Sequence, residues 1–164
     1  MDPLTQPLRD EHRELRTHVD EILAVADALE DHRPEALIDR LEQTASFLRQ
    51  DLLRHAGAEE AALYPAVGRL MGAPEATATM SRDHREIAGL SERLHRLVGQ
   101  LQVGDVDPAE LRRLLYGLHA IVALHFAKEE EVYLPLLDER LSPDEARRLF
   151  GDLEAAAHGA HAPA

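Results

Sequence analysis

The sequence contains no cysteine and few aromatic residues. Without cysteine the chain cannot form disulfides, thiolate zinc sites or cysteine-ligated iron–sulfur clusters. Cationic side chains are also scarce: the chain has 18 basic and 31 acidic residues, and its formal net charge is -13. Such a charge repels phosphate backbones and anionic lipid surfaces. We therefore expect neither nucleic acid nor a membrane as a partner.

Long apolar runs are lacking as well. The longest, from Tyr116 to Ala127, is interrupted by histidine and is shorter than the roughly 20 residues that span a bilayer. The first residues, MDPLTQPLRDEHRE, show no basic-then-apolar signal pattern. We expect a cytoplasmic protein. Lys128 is the only lysine, and the abundance of alanine, arginine and leucine is typical of a GC-rich bacterial genome.

Apolar residues recur with helical spacing, and there is little β-branched or aromatic content to suggest strands. The pattern predicts helices over about 4–29, 35–64, 75–102 and 108–134, with Pro65 and Pro135 ending or kinking the second and fourth. A capping-box sequence at Ser142 predicts a short fifth helix. Because the connections are short, we predict an all-α, up-down-up-down four-helix bundle over residues 1–157, followed by a disordered tail over 158–164.

The chain carries an internal duplication. The segment HAGAEEAALYP at His55 matches HFAKEEEVYLP at His125, and DEHREL around His12 matches RDHREI around His84. The separation between the matched segments is nearly the same in both halves. The sequence therefore predicts two helical hairpins related by a pseudo-twofold axis.

Polar residues interrupt the apolar face of all four predicted helices. Two histidines lie near helix starts and two near helix ends, so an alternating bundle brings all four to one level. A glutamate follows each of the later two histidines by four residues, one turn along the same face. The predicted metal-ligating residues are His12, His55, Glu59, His84, His125 and Glu129.

Four imidazole nitrogens and two carboxylates form a donor set for a pair of cations. Imidazole with carboxylate suits iron, manganese or zinc. One His-x-x-x-Glu pair on a helix is weak evidence, but two in register, each preceded by an inward-facing histidine at matched spacing, are much stronger. The sequence does not exclude zinc in place of iron.

This pattern resembles the hemerythrin-like (HHE cation-binding) family. The resemblance rests on the motif H…HxxxE…H…HxxxE and on the EExxLYP-like segments after His55 and His125, and it extends to about Leu137. It implies a four-helix bundle that holds two iron ions bridged by two carboxylates and an oxo or hydroxo group. It also implies O2 binding, peroxide or NO chemistry, or iron or oxygen sensing.

One position departs from the oxygen-carrying members, which have a further histidine one turn after the third-helix ligand. Here that position is Ala88. The resemblance then implies a coordination position open to water, another protein oxygen or a small oxidant. This disfavours reversible O2 carriage and favours peroxide or NO chemistry, redox sensing or iron handling.

One tyrosine follows each histidine-glutamate pair. Tyr133 is one helical turn after Glu129, so it is either a phenol near the metals, which coordinates or donates a proton or electron, or a packed core residue. The sequence assigns no catalytic residue, and Tyr133 is the one candidate. Tyr64 is offset by one residue from the equivalent position and is expected to serve packing.

Nearby acidic residues complete the expectations. Glu60 and Glu130 each follow a predicted ligand and are expected to face solvent, with a supporting or ligand role at the metals as the alternative. Asp51 either orients His55 or is solvated. The other six histidines do not share the predicted level and are expected at the surface: His18, His32, His95, His119, His158 and His161.

Three functional hypotheses remain open at this point. The first is a di-iron protein that binds or reduces O2, peroxide or NO. The second is an iron- or oxygen-responsive sensor or iron buffer without turnover, which would act through an unidentified protein partner. The third is a structural bundle without a functional metal.

Overall fold

The computed structural model describes residues 2–101, 103–104 and 106–159. Within these ranges the chain is all-helical and has no strand. It forms five helices: α1 (Gln6–Ala28), α2 (34–71), α3 (74–100), α4 (108–140) and α5 (Pro143–Gly159). Four long helices and a shorter fifth agree with the helix count expected from periodicity.

Local sequence accounts for several helix ends. The Asp107 side chain accepts a hydrogen bond from the backbone N–H of Ala109 at 2.9 Å, and Pro108 begins α4, so this helix starts with an N-cap followed by proline. Gly72 ends α2 in the left-handed conformation, with φ of 63°. The Ser142 hydroxyl and backbone N–H both donate to Glu145, which forms the expected capping box before α5.

Two helices extend past the ends that the sequence predicts. Pro65 and Pro135 end neither helix, because α2 continues to Met71 and α4 to Arg140. Each proline lies two residues after the end of a π-helical turn, over Glu59–Leu63 and Glu129–Tyr133. The wider turn rearranges the backbone hydrogen bonds just before the proline, so the missing N–H and the ring are accommodated.

The C-terminal boundary also differs. Helix α5 includes His158 and Gly159, which the sequence places in a disordered tail, while residues 160–164 lie outside the described ranges. Helix α3 ends at Gln100, and Gln102, where we expected its end, is likewise outside them.

A polar layer separates two apolar clusters of the core. On α1, Leu8 belongs to one cluster and Leu15 to the other; on α3 the corresponding residues are Met80 and Ile87. His12 and His84 lie between these pairs and are buried. The helices therefore place their polar core positions at one level, with apolar packing above and below it.

Asp138 connects the start of α1 to the end of α4. Its carboxylate accepts hydrogen bonds from the Thr5 backbone N–H at 2.8 Å, from the Thr5 hydroxyl at 2.9 Å and from the Arg9 guanidinium at 3.2 Å. At the opposite ends of the same helices, Tyr116 donates to Asp27 at 2.7 Å. These contacts fix both ends of the α1–α4 pair.

We expect Asp138→Ala to lower the free energy of unfolding by about 1–3 kcal/mol, because it leaves partly buried donors of Thr5 and Arg9 without an acceptor. Chemical denaturation measures the change. Glu139→Ala is the matched control, since its neighbouring side chain is exposed, and it should stay within about 0.5 kcal/mol of the parent protein. Equal effects of the two substitutions would contradict the assigned role of Asp138.

Candidate metal centre

The structure brings all six predicted ligand residues together in the interior. The four imidazoles point their Nε2 atoms inward and their Nδ1 atoms outward. The side chains of Glu59 and Glu129 are fully buried among them. An inward Nε2 lone pair with an outward Nδ1–H is the tautomer that a metal-binding imidazole requires.

Glu59 faces both pairs of histidines. Its Oε1 atom lies 3.0 Å from His55 Nε2 and 3.6 Å from His12 Nε2, while its Oε2 atom lies 3.3 Å from His84 Nε2 and 4.0 Å from His125 Nε2. One oxygen of Glu59 therefore faces the His12–His55 pair and the other faces the His84–His125 pair. This is the arrangement of a carboxylate that can bridge two ions.

Glu129 divides its oxygens in the same way. Its Oε2 atom lies 3.5 Å from His12 Nε2, and its Oε1 atom lies 3.4 Å from His125 Nε2. Glu59 and Glu129 come from the two halves of the duplicated sequence. The two carboxylates thus span the same gap from opposite directions.

The donor atoms form two overlapping groups of a size that can hold metal ions. One group contains His12, His55, Glu59 and Glu129, and the other contains Glu59, His84 and His125. Several inward atoms are buried without a hydrogen-bond partner, namely His12 Nε2, His55 Nε2, both Glu59 oxygens and Glu129 Oε2. Buried polar atoms rarely remain unpaired, so this set fits metal ions as the missing partners.

Glu60 is exposed and Glu130 is partly exposed, and both also contact a histidine of the cluster, which agrees with the alternative of a supporting role. Glu60 Oε1 accepts a hydrogen bond from His84 Nδ1 at 2.8 Å, and Glu130 Oε1 lies 3.3 Å from His12 Nδ1. Each glutamate therefore contacts a histidine from the other half of the chain. The wide π turn that begins at the preceding glutamate gives both residues of the Glu-Glu pair access to the cluster.

The remaining two histidines have carboxylate partners within their own half. His55 Nδ1 lies 3.1 Å from Glu11, and His125 Nδ1 lies 3.1 Å from Asp83, which also pairs with Lys128. All four Nδ1 atoms thus contact an acidic side chain. Such partners fix imidazole orientation and increase its basicity toward a metal.

Asp51 does not orient His55. Its carboxylate pairs with Arg54 at 3.4 Å on the exposed side of α2, which corresponds to the solvated alternative. Glu11 takes the orienting position instead, from the residue directly before His12 on α1. Asp83 precedes His84 in the same way, so the duplication covers this outer contact too.

Tyr64, and not Tyr133, lies in the cluster. The Tyr64 hydroxyl donates to Glu129 Oε1 at 2.8 Å and lies 3.3 Å from both His84 Nε2 and His125 Nε2. Tyr133 instead donates to the backbone carbonyl of Ala76 at 3.2 Å. Of the two alternatives for Tyr133, its position agrees with the packed core residue. The assignment of Tyr64 to packing alone is wrong.

The π turns explain why Tyr64, and not Tyr133, lies in the cluster. In a regular α-helix the residue four positions after a ligand shares its face, which favours Tyr133 after Glu129. A π turn closes between residues five apart, and the N–H of Tyr64 bonds to the Glu59 carbonyl in this way. The residue five positions after the glutamate is consequently the one that faces the cluster.

Charge within the cluster shifts the pKa values of its members strongly. Burial lowers the pKa of His125, but hydrogen bonds and charge from Glu129 and Glu59 outweigh it and raise the pKa to about 10. Burial likewise opposes the charge of Glu59, which nevertheless raises the pKa of His55 well above its usual value. Without metal, these imidazoles are therefore the cations that neutralise the buried carboxylates.

Phe126 closes one side of the cluster. Its ring stacks on His12 with centroids 4.5 Å apart and meets His55 edge-on at 5.9 Å. On the other side, a cleft of about 670 Å³ extends from the surface to Tyr64 and Glu60. That volume holds many waters, each occupying about 30 Å³. The cleft is lined by two residues that contact His84.

The other described histidines lie outside both donor groups, as expected. His18 stacks on Phe47, His32 bonds to the Ala28 carbonyl, and His95 contacts Arg49. His161 lies outside the described residues. Ala88 is half-buried on α3, one turn after His84.

Comparison with known protein families identifies the family of this chain. The family model for the hemerythrin HHE cation-binding domain matches residues 4–137. The chain belongs to the hemerythrin HHE cation-binding family. No curated protein and no solved structure matches it significantly. The matched region of this hemerythrin-domain protein contains all six residues of the cluster and ends before α5.

Membership of the family, together with the two donor groups, identifies a metal-binding protein. Over the part of the chain that the structure describes, no helix is both long and apolar enough to cross a membrane.

We expect Glu60→Gln and Glu130→Gln each to weaken metal binding by about 10- to 100-fold, because the neutral amide is a poorer partner for the imidazole Nδ1–H. Competition with a chromophoric chelator measures the affinity. Glu131→Gln is the control, since this neighbouring side chain is exposed. If all three variants bind metal equally, Glu60 and Glu130 do not support the histidines.

The pKa shifts predict opposite pH responses with and without metal. A raised native pKa stabilises the folded chain below the unfolded value of about 6.5, and that stability is lost as pH rises. The melting temperature of the metal-free protein should therefore fall between pH 7 and the His125 pKa of about 10.

The metal-loaded protein should not show this fall, because bound metal requires neutral imidazoles and competes with protons. Its melting temperature should instead decrease toward acidic pH as metal dissociates. Thermal scans of chelator-treated and metal-loaded protein across this range measure both slopes. Equal slopes in the two forms would contradict the assignment of His55 and His125 as charged residues of the metal-free cluster.

Proposed function

We propose that this protein is a non-haem di-iron protein that binds or reduces a small oxidant, O2, hydrogen peroxide or NO. The observation that carries the proposal is the division of both carboxylates, Glu59 and Glu129, between two pairs of histidines. A single-ion site has no need of carboxylates whose two oxygens face different donor groups. The proposed ligands are His12, His55, Glu59, His84, His125 and Glu129.

The donor set favours iron among the available metals. Cysteine is absent, so soft thiolate ligands play no part. Imidazole nitrogens mixed with bridging carboxylates suit iron in both its oxidation states. When bound, an iron pair supplies reversible electron transfer and a coordination position for the oxidant. We propose two iron ions per chain with an oxo or hydroxo bridge.

The surrounding residues have separate tasks in this proposal. The outer carboxylates Glu11, Glu60, Asp83 and Glu130 hold the imidazoles in their inward orientation. Phe126 excludes water from the His12–His55 side. The cleft at Glu60 admits a small neutral oxidant and protons from solvent.

The arrangement of helices belongs to the same proposal. We infer that α1 to α4 form an up-down-up-down bundle, because α1 and α4 contact each other at opposite ends through Asp138 and Asp27. Alternating directions also account for the histidines at helix starts and helix ends meeting at one level. Helix α5 then packs outside the four.

A second candidate is an iron- or oxygen-responsive sensor or iron buffer without turnover. It is favoured by the origin of the ligands, because the six side chains come from all four long helices. Loss of metal would leave protonated imidazoles as the cations beside the two buried carboxylates where the four helices meet. Iron occupancy would thus be coupled to the stability of the whole domain.

Metal analysis after anaerobic loading with ferrous iron tests the proposal. We expect two iron ions per chain and, on exposure to air, the near-ultraviolet and visible absorption of a bridged ferric pair. Glu59→Ala should lose most of this iron, since Glu59 belongs to both donor groups. Circular dichroism should confirm that the variant remains helical.

His95→Ala is the control and should retain two iron ions, because His95 is exposed and lies outside both groups. A parent protein that binds no iron, or one whose Glu59→Ala variant binds as much, would contradict the proposal. Peroxide or NO consumption beyond one equivalent per centre supports an enzyme, whereas stoichiometric consumption supports the sensor or buffer.

A further inference from the structure

The two donor groups are unequal in a way that the duplication does not predict. Both pairs of histidines face one oxygen of Glu59 and one of Glu129. Only the Nε2 atoms of His84 and His125 have a tyrosine oxygen beside them, at 3.3 Å from each. Matching His55 with His125 pairs Tyr64 with Leu134, so the equivalent position beside the first group carries an apolar side chain.

We propose that the phenol oxygen of Tyr64 is a ligand of the metal ion held by His84 and His125. This inference rests on the proposed function only in requiring metal at that position. It goes beyond that function by adding a seventh protein ligand and by making the two ions chemically different.

The distances support coordination. Two donor atoms that each lie about 2.1 Å from one ion at a right angle are about 3 Å apart. The Tyr64 oxygen lies 3.3 Å from His84 Nε2, 3.3 Å from His125 Nε2 and 2.8 Å from Glu129 Oε1. Its spacing to the imidazoles matches that of the Glu129 oxygen, which lies 3.4 Å from His125 Nε2.

The setting of the ring supports the same conclusion. Tyr64 stacks on His84 with ring centroids 5.4 Å apart and an interplanar angle of 16°, which fixes the direction of its C–O bond. Its residue is almost fully buried, with 3% of its surface exposed. The hydroxyl group has no partner in the described chain other than the donor atoms of the cluster.

Coordination exchanges the phenol O–H bond for a bond between oxygen and the metal, and the proton leaves to solvent along the cleft at Glu60. A bound cation reverses the electrostatics that hold the phenol neutral in a carboxylate-rich site. A phenolate is a hard anionic oxygen donor, so it favours trivalent over divalent iron.

The inference changes where an oxidant can bind. The phenol oxygen would fill the position at the His84–His125 ion that the sequence left open at Ala88. An oxidant that enters through the cleft at Glu60 would then have to displace the phenol from this ion or bind the His12–His55 ion, which Phe126 covers.

Resonance Raman and visible absorption spectra of the ferric protein test the proposal. We expect a phenolate-to-iron(III) charge-transfer band with enhanced tyrosinate ring vibrations, which shift when the protein is grown with ring-deuterated tyrosine. Tyr64→Phe should abolish the band and the vibrations while retaining iron.

The chain contains only three tyrosines, so the control can be complete. The Tyr116→Phe, Tyr133→Phe double variant leaves Tyr64 as the sole tyrosine and should keep the full signal. It decides the assignment even if Tyr64→Phe loses its metal. Persistence of the signal in Tyr64→Phe, or its loss in the double variant, would overturn the inference.

The outcomes separate this inference from the proposed function. Two bound iron ions without tyrosinate vibrations would leave the di-iron function standing and show that Tyr64 is only a hydrogen-bond donor to Glu129. A parent protein without bound iron would overturn both.

Discussion

The structure depends on neutralising two carboxylates that are fully buried at the centre of the helices. An isolated buried carboxylate is too costly to remain charged, so Glu59 and Glu129 require cations beside them. Without metal, protonated imidazoles meet this need, as the raised pKa values of His55 and His125 indicate. With metal, the same nitrogens become neutral ligands. Metal ions and protons therefore compete for one set of atoms, which couples metal affinity to pH and to folding.

The π turns determine which side chains reach this cluster. Both occur at equivalent places in the duplicated sequence and both begin at a buried glutamate. The extra residue per turn brings the following glutamate to the outer side of a histidine and the residue five positions later to the inner side. It also lets Pro65 and Pro135 occur within continuous helices. π-Helical turns are rare and concentrate at functional sites, and here their effect on ligand geometry is direct.

The sequence predicted the six central residues because they repeat. Polar residues that interrupt four apolar helix faces, at matched positions in two halves, have few explanations other than a shared centre. The outer carboxylates could have been found from the same repetition, since an acidic residue precedes both His12 and His84 and follows both Glu59 and Glu129. We missed Glu11 and Asp83, and gave a supporting role of Glu60 and Glu130 only as the alternative, because regular α-helical spacing turns such neighbours away from the core.

No comparable repetition in the sequence indicated that Tyr64, and not Tyr133, contacts the metal-ligating residues. The segments that contain them read ALYP and VYLP, so tyrosine and leucine swap places between the halves. The π turn alone decides which of the two adjacent positions faces inward, because its hydrogen bond joins residues five apart. The spacing of apolar residues in the sequence does not reveal a π turn. Helix boundaries near Pro65 and Pro135 were misplaced for the same reason.

The departures from symmetry carry more information about function than the symmetry itself. The duplication supplies equivalent imidazoles and bridging carboxylates, which are sufficient to hold two similar ions. The surroundings of the two ions differ because three pairs of equivalent positions carry different residues in the two halves: Tyr64 and Leu134, Phe126 and Ala56, and Arg16 and Ala88. Arg16 pairs with Glu130 at 3.2 Å beside His12, whereas Ser81 is the partner of Glu60 beside His84. One side is thereby covered by an aromatic ring and an arginine, and the other receives a phenol and an open cleft. Two ions in such different environments would differ in potential and in ligand exchange, so one could take up an oxidant while the other remained saturated by the protein.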